Sequence, residues 1–380
     1  MSSVITKKEL GTFYSNEEIN EFKEIKDNTK RILHTYEHEI KPNHLCQAID
    51  IDIYLEGNTS LPMKNMIDYP FRSTLNAIEY IHTIKEFGIK SILLHLVGNS
   101  YEDDPYEVLE KQVEVLSKIR EVFPKGEIEI TVDPFMTAFN ADGTWGIKEA
   151  SGKMDMVKSL EILGNIALEY SKIGIDGVIT LGRLENEVEV TRKAIDLAGS
   201  DLKIKSFSHN SETSNAYMYL DDLPDQLLTG QKILVGNLTE MVLRTIIDIH
   251  EGAHVIVVKP IENLHLITLT ARVISDIEFV KDFLSSEYTQ EILSKKPFIK
   301  AKANKILNNL QLFSEKSSKV KIGAYSVSGT YYIHKSLDQT KNGKFSIGLV
   351  EELLKNGISA AGPLLDNIMD RNAVWYFQNK

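Results

Sequence analysis

The chain has 380 residues, 42% of them hydrophobic and 26% charged, which is ample material for a core. A net charge of −11 at pH 7 and a pI near 5.5 exclude a nucleic-acid backbone as the expected partner, because phosphate contacts need a basic surface. The one cysteine, Cys46, excludes an intrachain disulfide and a zinc site of the cysteine type. The N-terminus lacks an apolar core of signal-peptide length, and no stretch approaches the roughly 18 to 20 apolar residues of a membrane span. A soluble, cytoplasmic protein without membrane or nucleic-acid partners is therefore expected.

In chain order, residues 1–45 are polar and read as an N-terminal arm, with helical segments expected near 16–27 and 28–40. From residue 46 onward, short β-rich apolar runs alternate with longer amphipathic stretches, the signature of a parallel sheet. Eight runs are expected as strands: AIDIDIYL (48–55), SILLHLV (91–97), IEITVDP (128–134), DGVITLG (176–182), KIKSFSH (203–209), HVIVVKP (254–260), KIGAYSVS (321–328) and GISAAGPL (357–364). Between them, apolar residues recur at spacings of three and four, as in YEVLEKQVEVLSKIREVF. Gly88, Gly174, Gly252 and Gly357 stand where glycines end helices before a strand. Eight such units predict an α/β fold, a closed (β/α)8 TIM barrel over 46–380; no Gly-x-Gly-x-x-Gly follows the first strand to suggest an open dinucleotide-binding sheet. Residues 210–250 form a long excursion, and 268–318 read as a helical insertion between the sixth and seventh strands.

Barrel enzymes carry their chemistry at the C-terminal ends of the strands. Those ends offer Asp133, Arg183, His209, Lys259 and Ser328. Lys259 closes the apolar run VIVVK, where desolvation lowers an amine's pKa and leaves a nucleophile able to form an imine with a carbonyl. A lysine that only snorkels to the rim is the plainer alternative. Ser328, followed by Gly329, offers a hydroxyl and amides to a carboxylate, although Ser-Gly is also common in turns. Asp133 and Asp142 are candidates for Mg²⁺ or a water, with Asp142-Gly143 equally an ordinary turn. His209 is either an acid–base group or a hydrogen-bonded rim residue. Arg183 brings a positive charge to the fourth strand's end, unless Glu185 or Glu187 binds it in a rim salt bridge.

The segments LEGNTSLPM, FGIKSILLHLV, VDPFMTAFNADG, GIDGVI, KIKSFSHNS, EGAHVIVVKP and AYSVSGTYYIHK resemble, in order over about residues 48 to 377, the porphobilinogen synthase (δ-aminolevulinic acid dehydratase) family. The resemblance implies a cytoplasmic lyase of tetrapyrrole biosynthesis, a barrel assembled as a homo-oligomer, usually an octamer of hugging dimers, that condenses two 5-aminolevulinate molecules through lysine imines. It places Lys259 at one Schiff-base lysine, with Ser328 and Tyr325 among the groups binding that substrate. A second carboxylate-binding group, a tyrosine near the last strand, falls at or near Leu364. The zinc cysteines fall at Thr131, Asp133 and Asp142, two of which suit a magnesium-type variant.

The departures carry as much weight. The family's other lysine is replaced by Asn210, and no lysine occurs within ten residues after it. The arginines of the family's lid are absent, and Glu212, Asp221, Asp222 and Asp225 stand in that stretch, which repels a carboxylate. The expectation is thus a divergent Schiff-base lyase or dehydratase using Lys259 on 5-aminolevulinate or a related keto or amino acid. Asp133, His209 or Arg183 handles protons and charge at the former second site, where Asn210 also stands. The alternatives are an authentic synthase with an altered second site, and a non-catalytic barrel that binds a small molecule or partner.

Overall fold

A computed structural model describes residues 39–63, 66–210, 237–340 and 346–380, with a few helical positions between 15 and 24. The expected arm helices at 16–27 and 28–40 lie largely outside the described residues, as does most of the 210–250 excursion.

Lys41–Lys380 is one compact unit. Its strands are β1 (Leu45–Asp52), β2 (Ser60–Pro62), β3 (Pro70–Arg72), β4 (Ser91–Val97), β5 (Glu129–Asp133), β6 (Gly177–Thr180), β7 (Lys203–Asn210), β8 (Val255–Lys259), β9 (Lys321–Tyr325) and β10 (Leu365–Asp370). Strand β1 and strands β4 to β10 pair in sequence order, all parallel, and β10 pairs back onto β1 to close an eight-stranded barrel. The β2–β3 ribbon is antiparallel and joins the sheet through a β1–β3 pairing at Ile51 and Arg72. This is a (β/α)8 fold, as the alternation of elements predicts.

Helices α1 (Thr74–Glu86), α2 (Pro105–Val122), α3 (Met156–Lys172), α4 (Glu187–Ala198), α5 (Leu238–Glu251) and α6 (Leu264–Ser275) follow successive barrel strands. Their starts are encoded locally: the side chains of Ser73, Asp104 and Asp155 each accept a hydrogen bond from an amide of the first turn they cap. The lysine-rich insertion is helical, as expected, and comprises α7 (Ile277–Ser285), α8 (Glu287–Ser294), α9 (Pro297–Leu307) and α10 (Leu310–Ser317). Helices α11 (Ser328–Thr340), α12 (Ser346–Ala361) and α13 (Ala373–Asn379) complete the unit.

One expectation about the strands is corrected. The eighth strand is Leu365–Asp370, and GISAAGPL (357–364) instead ends α12 and forms a 3-10 turn at Gly362–Leu364. Gly357 lies inside that helix, where a Cβ would come within 2.9 Å of Ile261 Cδ1 and 3.2 Å of Ile368 Cδ1. The glycine permits close helix packing and does not mark a helix stop. Strand β7 carries a register shift between Ser206 and His209, which sets Phe207 and Ser208 against the single residue Val257 of β8. Such a bulge breaks the strict inside–outside alternation.

Candidate active site

Lys259 is the last residue of β8, whose five residues are all buried. Its Nζ lies 4.8 Å from the centroid of the Phe207 ring and 5.0 Å from that of Tyr325. Phe207 faces into the barrel from β7, and Tyr325 ends β9. Lys259 lines a small cavity with His95, Asp133, Tyr325, Ser328 and Arg371. Burial pushes its ammonium down to about 8, opposed by Asp133 and helped by Arg183 and Arg371. At pH 7 roughly a tenth of such a group is free amine, against well under a thousandth for an ordinary lysine.

A row of polar side chains crosses the barrel beside this amine. Asp50 of β1 pairs in register with His95 of β4, and His95 with Asp133 of β5. In-register residues of parallel strands share a face, so all three point inward. His95 Nδ1 is 3.5 Å from Asp50 Oδ1, and its Nε2 is 3.9 Å from Asp133 Oδ2. Arg371 follows β10 and packs against Asp50, with Nη2 3.2 Å from Oδ2. Its Nη1 donates to Tyr325 Oη at 2.9 Å, and Tyr325 Oη is 3.2 Å from His95 Nε2. Burial raises the Asp50 carboxyl, but Arg371 and His95 together hold it well below the usual carboxylate range.

The fold therefore brings together Lys259, Asp133, Tyr325 and Ser328 among the sequence-derived candidates. Ser328, 1% exposed, opens α11 directly after β9. His209 is a correction: the β7 bulge turns it into the helix layer, where its Nε2 shares hydrogen bonds with the hydroxyls of Thr245 on α5 and Thr270 on α6. Burial, with Arg244 and His265 adding to it, pushes His209 down to about 3, a neutral packing residue. Asn210 pairs with Lys259 in the register, and its side chain lies outside what is described. Arg183 sits after β6 with its guanidinium over Phe135 and Phe139, donating to the Gly143 carbonyl at 3.0 Å. Glu187 accepts from the amides of Gly182, Arg183 and Leu184.

The metal expectation does not fit these residues. Asp142 is committed to Lys148 at 2.8 Å and to Thr144, and Asp133 accepts from the Phe135 amide at 3.0 Å. Among the described residues no group of three or more His, Cys, Asp or Glu side chains is placed to hold a metal ion. The position implied at Leu364 is also corrected. Leu364 precedes β10, at the end of the barrel opposite the mouth, and the residue at the mouth end of the last strand is Arg371.

Asp50, His95 and Arg371 escaped the strand-end rule because two lie within strands and the third follows a strand placed too early. The available signal was polarity: His95 interrupts the apolar run SILLHLV, and Asp50 sits between Ile49 and Ile51.

Fold and site together define a (β/α)8 barrel with a buried lysine of lowered pKa at its mouth. The family model for delta-aminolevulinic acid dehydratase matches residues 22–297. The delta-aminolevulinic acid dehydratase of Archaeoglobus fulgidus is 26% identical over 235 residues, covering 59% of this chain and 70% of that protein. That of Chlamydia pneumoniae is 24% identical, over 50% of this chain and 60% of its own length. Among solved structures, the Toxoplasma gondii porphobilinogen synthase in complex with porphobilinogen superimposes with a TM-score of 0.69 at 18% identity, covering 93% of this chain and 89% of that one. The chain belongs to the delta-aminolevulinic acid dehydratase family, a family of lyases. Among the described residues no helix is long and apolar enough to cross a membrane.

Proposed function

We propose that this protein is a Schiff-base lyase that uses Lys259 to form an imine with 5-aminolevulinate or a related keto or amino acid. It departs from ordinary porphobilinogen synthesis. The observation that carries the proposal is the Lys259 amine, buried beside Phe207 and Tyr325 with its pKa lowered to about 8. A neutral amine at a barrel mouth attacks a ketone; water leaves, and the imine acts as an electron sink for the adjoining carbon. Ser328 and the Arg371 side favour a substrate carrying a carboxylate. The departure from the symmetric condensation rests on Asn210, an amide that forms no imine, set opposite Lys259 in the register. The enzyme is further proposed to be cytoplasmic and to act as a homo-oligomer on a small molecule, by analogy with its family.

The test is incubation with 5-aminolevulinate, with and without Mg²⁺, followed by a pyrrole colour assay and borohydride mass spectrometry on one sample. The expected result is a reduced adduct on Lys259, absent in Lys259→Ala, with little or no pyrrole. Strong pyrrole formation would make the protein an authentic synthase that works without a second lysine. Absence of any adduct with keto acids would overturn the Schiff-base role and favour a binding barrel.

A further inference from the structure

The polar contacts beside Lys259 set His95 between two acidic side chains and a phenol. Arg371 can only donate, so in the Arg371–Tyr325 hydrogen bond the phenol oxygen accepts. The phenol hydrogen is then available to His95 Nε2, 3.2 Å away. With the phenol donating to Nε2, the imidazole N–H is on Nδ1, which faces Asp50 Oδ1 at 3.5 Å. Asp50 is in turn clamped by Arg371, which donates from Nε at 3.2 Å and Nη2 at 3.4 Å. The result is a carboxylate–imidazole pair whose basic nitrogen points into the cavity that holds the nucleophilic amine. A bare apolar wall would do for packing. Gathering Arg371, Tyr325, His95 and Asp50 beside the amine costs desolvation that plain packing does not require, which points to chemistry.

We propose that His95 is the general base of this site and takes a proton from the substrate carbon adjoining the Lys259 imine. The inference rests on the Schiff-base role proposed above and names the group that acts after the imine forms. The Tyr325 hydroxyl rotates off Nε2 as substrate enters. The carbon–hydrogen bond then breaks, its proton goes to Nε2, and its electron pair forms the carbon–carbon double bond of an enamine as the iminium nitrogen is neutralised. Asp50 stabilises the imidazolium so formed, and Asp133, 3.9 Å from Nε2, adds to this. In D2O the reverse step returns deuterium to the carbon. Asp50 and Arg371 are positioning residues in this account.

The experiment uses 4-oxopentanoate, a keto acid with no amine to self-condense, as the probe in D2O. Borohydride trapping measures the imine, and proton NMR measures deuterium exchange at the carbons flanking the ketone. Wild type is expected to show both, and Lys259→Ala neither. His95→Gln is expected to trap the adduct to a similar extent while exchange falls about 10²- to 10⁴-fold, the usual contribution of a positioned base. Exchange at the wild-type rate in His95→Gln would overturn the proposal and leave the Schiff-base role standing. No adduct in wild type would overturn both. Loss of the adduct in both His95→Gln and His95→Asn, with melting temperatures unchanged, would assign His95 to imine formation and overturn its role at the carbon.

Discussion

Two lysines lie inside this barrel, one at each end, and their surroundings drive them in opposite directions. Lys259, at the mouth, has aromatic rings beneath its ammonium, and burial wins: its pKa falls to about 8. Lys205, at the other end, is fully buried, yet its Nζ is 2.9 Å from both Glu129 and Asp366. Burial is again the largest influence on it, but the carboxylates of Asp366 and Glu129 more than offset this and raise the amine above its ordinary value. Gly177 leaves the space for it, since a Cβ there would approach Lys205 Cε to 3.2 Å. Desolvation alone therefore does not make a nucleophile. The difference is the balance of burial against charge: two carboxylates at 2.9 Å outweigh burial at Lys205, whereas at Lys259 burial outweighs the influence of Asp133.

The largest effect that tests this contrast is on chemistry. Lys259→Ala should abolish covalent trapping of a keto acid, whereas Lys205→Met should leave trapping at Lys259 intact. Trapping at Lys205 in the folded protein would break the distinction.

Stability should respond with opposite signs. Removing Lys205 leaves Glu129 and Asp366 without their cation, and breaking a buried network of this kind costs about 3 kcal/mol. Urea unfolding of Lys205→Met should show that loss. Lys259→Met should instead gain roughly 2–4 kcal/mol at pH 7, because it removes an ammonium that folding desolvates. The gain should shrink as pH rises. Between about pH 8 and the ordinary lysine value the unfolded chain binds the extra proton, so wild-type stability climbs with pH across that window. A flat difference between pH 7 and pH 10 would argue that Lys259 is not depressed.

The rate of adduct formation offers a sharper measure of the same group. Its pH profile should rise to a half-maximum near pH 8, the point at which the amine loses its proton. A profile still rising in proportion to hydroxide at pH 10 would assign Lys259 an ordinary pKa.

The smallest effect concerns His209, held neutral against Thr245 and Thr270. Its depressed pKa means that the unfolded chain takes up a proton first as pH falls below about 6.5, so the folded state loses stability progressively toward its folded value of about 3. At pH 5 the loss from this residue is on the order of 2 kcal/mol. His209→Gln should flatten that part of the pH–stability curve without altering trapping at Lys259. Loss of trapping would return His209 to the active site.

The sequence by itself determined the barrel and the lysine at its mouth. Alternating apolar runs and amphipathic stretches specify βα units through local periodicity, and VIVVK reads as a buried strand with a lysine at its end. Strand ends therefore led to Asp133, Lys259 and Ser328. What the tertiary structure alone decided follows from register and closure. The row Asp50–His95–Asp133 exists because three strands far apart in sequence pair at those residues. Arg371 reaches the site because β10 starts later than its apolar run suggested, with Gly357 serving helix packing. His209 leaves it because one extra residue in β7 moves a side chain from one face of a sheet to the other, and no local pattern records where a neighbouring strand will absorb that residue.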